Sequence, residues 1–101
     1  MGWTFTLGAT KNDVVGELLD GSSTLDHELR GDVLWAVVEF DHQRVIACFL
    51  LQDNGDGWGY KDLDESMHPP HYDCPLRLLE IAPVACEKWR ASVRTYHARK
   101  H

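Results

Sequence analysis

Trp3, Phe5 and Leu7 alternate with Thr4 and Thr6, a period of two that predicts a short strand ending at Gly8. The period then changes. Val14, Val15, Leu18 and Leu19 form one apolar stripe at helical spacing, behind Thr10 as a cap and Asp13 at the capping-box position. That helix is expected to run to about Asp20 and to stop at Gly21-Ser22-Ser23. Leu25 to Leu29 reads as a poorly hydrophobic strand suited to a sheet edge, and Arg30-Gly31-Asp32 as a turn. Val33 to Phe40 is strongly β-prone, Asp41-His42-Gln43-Arg44 reads as a hairpin loop, and Val45 to Leu51 as the returning strand. Both strands are apolar at nearly every position, which predicts a central place in the sheet. Asp53-Asn54-Gly55-Asp56-Gly57 is a turn cluster, and Trp58 to Lys61 adds a last strand. A polar, proline-bearing loop follows from Asp62 to Asp73. Pro75 fits the first turn of a helix over Leu76 to Ile81, capped by Cys74 or Asp73. After Pro83, a final helix is expected from about Val84 to His97, with Ala85, Trp89, Val93 and Tyr96 on one stripe.

The order β-α-β-β-β-(β)-α-α predicts an α+β fold: a mostly antiparallel sheet of four or five strands, packed on one face by two or three helices. The 101 residues make one domain, 1–101, long enough to bury roughly 60 to 70% of the unfolded surface. No apolar run approaches the ~20 residues of a membrane span. Met1-Gly2-Trp3-Thr4-Phe5 lacks the basic and apolar regions of a signal peptide, so the expected location is cytoplasmic. Cys48, Cys74 and Cys86, odd in number and widely spaced, argue for reduced thiols. The net charge of −6 is unevenly placed: residues 1–76 carry fourteen Asp/Glu against four Lys/Arg, residues 77–101 two against six. An acidic body disfavours nucleic acid and favours a protein partner with a basic surface. A homodimer is compatible with the same composition. Double-stranded-RNA-binding domains share an α-β-β-β-α core, but the acidic first half and the lack of a basic run opening the last helix speak against them.

The densest chemistry lies between Asp53 and Cys74. Counted from Asp53, the third and fifth positions of a calcium loop are Gly55 and Gly57 and the twelfth is Asp64, so the EF-hand pattern fails and a turn is expected. His68-Pro69-Pro70-His71-Tyr72-Asp73-Cys74 has zinc-type ligands, and Cys86 could add a fourth; against it stand two prolines between the histidines and no second ligand pair. The favoured reading is no metal and no cofactor. Cys74 at a helix start, with His71 or His68 as base, gives the alternative of a small metal- or cysteine-dependent enzyme; no orienting third group is evident, and no catalytic residue is assigned. Trp58, Tyr60, Asp62, Asp64 and Glu65 set aromatics beside carboxylates, a combination suited to an arginine-rich protein surface. Arg90, Arg94 and Arg99 could meet phosphates, though favourable charge near a helix C-terminus explains most of them.

The segments Met1-Gly2-Trp3-Thr4-Phe5, Trp58-Gly59-Tyr60-Lys61-Asp62-Leu63-Asp64-Glu65 and Asp73-Cys74-Pro75, with a late Trp89-Arg90, carry a resemblance. Together they resemble a family of short bacterial proteins of uncharacterised activity on plasmids, integrated elements and phages, with MGW, GYKDMDE and DCP in this order. Leu63 stands where that pattern has Met. The resemblance implies a mobile-element origin and a small acidic accessory protein. By analogy with anti-CRISPR and anti-restriction proteins, such a protein would inhibit a host defence complex by stoichiometric binding.

Overall fold

Where the hydrophobic period changes from two to helical spacing, the backbone changes with it. The computed structural model describes residues 2–20, 23–63 and 74–82. In chain order the elements are β1 (Thr4–Phe5), α1 (Lys11–Asp20), β2 (Thr24–Arg30), β3 (Val33–Phe40), β4 (Gln43–Asp53), β5 (Trp58–Asp62) and α2 (Leu76–Ile81). β1 is shorter than the alternation from Trp3 to Leu7 suggests, because the chain leaves the ladder and turns at Gly8, whose φ is 77°. α1 begins at the expected reciprocal cap. The Asp13 amide donates to Thr10 Oγ1 at 3.1 Å and the Thr10 amide to Asp13 Oδ2 at 2.9 Å. Bonds to its carboxyl from Thr10, the backbone amide first and then the side-chain hydroxyl, hold Asp13 below its usual range.

The five strands form one sheet in the order β1-β5-β4-β3-β2, every neighbouring pair antiparallel. The two apolar strands are interior, with β4 at the centre, and the poorly hydrophobic β2 is an edge. The β3–β4 loop is tighter than the four residues expected: Phe40 pairs with Gln43, leaving only Asp41 and His42 between the strands. Both have positive φ, 52° and 64°, the sense that a two-residue turn needs to match strand twist. Left-handed backbone costs a non-glycine residue roughly 1–2 kcal/mol, less for Asp than for His. His42→Gly should therefore raise stability by about 0.5–1 kcal/mol after glycine's entropy cost. A urea midpoint that rises at constant slope is the expected result; a fall would show that the turn holds no such strain.

Cross-strand pairing sorts the apolar residues onto two faces. Val33 opposes Leu50, Trp35 opposes Cys48 and Val37 opposes Ile46, and this face packs against Leu78 and Leu79 of α2 together with Leu63, Cys74 and Ala82. The opposite face carries Leu34, Ala36 and Leu51, buried along with Val14 of α1. α1 lies on that side: Lys11 at its start sits over Trp58 of β5, and Leu19 near its end accepts a bond from Thr24 of β2 at 3.5 Å. The sheet is antiparallel and the arrangement α+β, but the two described helices cover opposite faces where the pattern suggested one. The cause is that β3 and β4 are apolar on both faces, so each face needs a cover. The helix expected over 84–97 lies outside the described residues.

The cap expected for α2 is also different. Pro75 holds the N-cap position with no side-chain cap bond, and Leu78 donates to the Pro75 carbonyl at 3.1 Å. Cys74 does not cap the helix; it is fully buried, its Sγ 3.8 Å from that carbonyl. Asp73 lies outside the described residues.

Candidate functional site

Trp58, Tyr60 and Asp62 occupy alternate positions of β5, so the two-residue period sets all three on one face of the sheet. Across from them on β4 stand Asp53, Leu51 and Phe49. Asp62 is exposed, while Trp58 and Tyr60 are half-buried. The Tyr60 ring meets Phe49 edge-on, with centroids 5.9 Å apart. The Lys11 ammonium lies 5.6 Å from the centroid of Trp58 and is tethered by the Gly31 carbonyl at 2.7 Å and Asp32 Oδ1 at 2.8 Å. Lys11 therefore ties the start of α1 to the β2–β3 turn, and Trp58 is partly engaged inside the fold as its aromatic partner. The exposed member of the three is Asp62.

The same string also carries structure. Gly59 is buried under β1, and Leu63 is buried in the α2-side core. Thr4 pairs with Tyr60 and Phe5 with Gly59, so the first and second of the motif segments are neighbours in space. Leu63 and Cys74 share one core, which brings the third segment to the second. Asp64 and Glu65, the remaining acids of the expected surface, lie outside the described residues, as do Arg90, Arg94 and Arg99.

The loop Asn54–Gly57 turns its side-chain oxygens onto its own backbone. Asp53 Oδ1 accepts from the Gly55 amide at 2.9 Å, and Asn54 Oδ1 accepts from the amides of Asp56 and Gly57 at 2.9 and 3.1 Å. This is turn chemistry, as the failed calcium pattern implied. Beside it runs an open groove of about 300 Å³, bordered by Gly8, Thr10, Asp53, Asp56 and Trp58 among others.

Cys74, the thiol of the cysteine-enzyme alternative, is 0% exposed in the α2-side core. Cys48 is buried with it, and burial, then the neighbouring Cys74, pushes the Cys48 thiol far up. Among the described residues no group of three His, Cys, Asp or Glu side chains is gathered closely enough to hold a metal ion. His68, His71 and Cys86 lie outside them. Also among the described residues, no helix is long and apolar enough to cross a membrane.

One cluster escaped the sequence reading. Arg77 of α2 reaches to the β2 edge, where it bonds Asp26 Oδ2 at 2.7 Å, Glu28 Oε1 at 2.8 Å and the His27 carbonyl at 3.0 Å. Arg30 also bonds Glu28. The His27 amide, ahead of Arg77, holds the Asp26 carboxyl below its usual range; Arg30, ahead of Arg77, does so for Glu28. A pair of acids two apart on a polar strand was the available signal, but its basic partner lies 49 and 51 residues away. No family model, no curated protein and no solved structure matches this chain.

Proposed function

We propose that the chain acts by stoichiometric binding to a protein with a basic surface, through Tyr60, Asp62 and the adjoining acids Asp64 and Glu65, with Trp58 at the rim. The observation that carries this reading is the alignment of two half-buried aromatics and an exposed carboxylate on one face of β5. Aromatic area close to a carboxylate suits an arginine, whose plane stacks while its fork bonds the oxygens. The acidic excess of residues 1–76 would speed the encounter. By analogy, the partner is a nucleic-acid-handling complex of host defence, whose basic groove such a protein would occupy as an anti-CRISPR or anti-restriction inhibitor does.

The test is capture with tagged protein from a bacterial lysate that expresses defence complexes, run beside Asp62→Lys/Asp64→Lys/Glu65→Lys. The expected result is one partner in equal stoichiometry, held at least about tenfold more weakly by the variant, which corresponds to about 1.4 kcal/mol. Equal retention by the variant would move the contact off this surface. The variant's melting curve should match the parent's, since Asp62 is exposed.

A further inference from the structure

Among the described residues β2 is a sheet edge, seven residues long, and exposed edges of that length invite another strand. Which of its backbone groups face outward follows from the register. The two-residue loop makes Phe40–Gln43 a hydrogen-bonded pair, so Val38, Ala36 and Leu34 also turn their backbone groups toward β4. Their neighbours Glu39, Val37, Trp35 and Val33 turn toward β2, as the Glu39 amide shows by donating to the Ser23 carbonyl at 3.0 Å. On β2, therefore, His27 opposite Ala36 and Leu29 opposite Leu34 present their backbone groups to the outside.

At the midpoint of this edge both groups are already engaged. The His27 amide donates to Asp26 Oδ1 at 2.7 Å, and the His27 carbonyl accepts from Arg77 at 3.0 Å. Arg77 also bonds the other oxygen of the same Asp26 carboxylate, so amide, carboxylate, guanidinium and carbonyl close a ring around one residue. We infer that Asp26 and Arg77 form a side-chain clamp that closes the β2 edge against antiparallel pairing with a second copy of this chain.

The occupant is a second copy because the strand is self-complementary about His27. An antiparallel two-fold pairing centred there brings Leu29 of each copy to Leu25 of the other, the residue at the bulge between Thr24 and Asp26, and these leucines are 39% and 48% exposed. It also sets Asp26 opposite Glu28, so the like charges oppose the pairing while Arg77 ties both acids to their own chain. Opening the edge thus needs loss of the carboxylate as well as of the guanidinium.

The experiment is sedimentation equilibrium on the full chain and on Asp26→Thr/Arg77→Ala. The parent should keep the mass of one chain, and the double variant should approach twice that mass as concentration rises. Adding His27→Pro to the double variant should return it to one chain, because that amide points away from β3 and proline removes it without touching the β2–β3 ladder. A folded double variant that stays single at millimolar concentration would overturn the clamp. So would a dimer that survives His27→Pro, or a parent that is already paired until His27→Pro separates it. Should the double variant fail to fold, Asp26→Val/Arg77→Met keeps the aliphatic stem of Arg77 and a strand-favouring residue at 26 while freeing both backbone groups of His27; a mass rise that His27→Pro abolishes supports the clamp, and its absence overturns it.

Discussion

Trp35→Ala should cost about 3–5 kcal/mol, the usual loss when a fully buried Trp is cut to a methyl. Trp35 is 0% exposed and stands at the middle of the α2-side core, opposite Cys48 and among Val37, Leu78, Leu79 and Leu63. Two losses combine: apolar area returned to water, and a cavity between sheet and helix that rigid β3 and β4 cannot close. α2 is six residues long and has no side-chain cap. Its order therefore depends on that core, since so short a helix does not persist alone. For a domain of this size the total stability is about 5–15 kcal/mol, so the variant should be marginal. Urea unfolding followed by far-ultraviolet circular dichroism measures it, with a lowered midpoint as the expected result. A loss under about 1 kcal/mol would mean that α2 and the sheet do not share this core.

The interior of the fold is the part most legible in the residues. Val33 to Phe40 and the strand that follows are apolar without alternation, which marked them as central, and β4 and β3 hold those places. Thr10 and Asp13 marked the start of α1 because a cap is a local bond between residues three apart. What stayed hidden was long-range. The pattern of β3 and β4 says that both faces are covered but not which helix covers which, and one sheet face was assumed for both. The polar edge strand β2 was readable as an edge, yet the bonds from Arg77 that finish it cross about half the chain. Trp58, Tyr60, Asp62, Asp64 and Glu65 suggest a contact surface because aromatics beside acids suit one. In the fold alternate residues of β5 divide: Tyr60 is half-buried and Asp62 exposed on the face that also carries Leu51, while Gly59 and Leu63 are packed. Cys74 shows the same limit: next to a proline at a helix start it suggests a cap, whereas Pro75 holds that position and Cys74 is packed in the core.

Gly59→Ala should cost about 3 kcal/mol, at the upper end of what overpacking a filled site does. A Cβ there would stand on the Thr4 carbonyl oxygen and lie 2.8 Å from Phe5 Cα. Both are backbone, so no rotamer change relieves the clash; β1 itself must move. Gly57 is held in the same way, facing the Thr6 carbonyl and the Gly8 amide at 2.8 Å. β1 has only two ladder residues and, among the described residues, no neighbour beyond it in the sheet, so it is the element that gives way. Its departure would strip the outer side of β5. Gly16→Ala makes the same chemical change with the opposite expected sign. Nothing lies within 4 Å of a Cβ at Gly16, which sits in the middle of α1, so alanine's helix propensity should add about 1 kcal/mol. Measured side by side in urea, the two variants separate steric contact from composition. If Gly59→Ala proves neutral, β1 does not sit against β5 as described, and the face that presents Tyr60 and Asp62 would have to be redrawn with it.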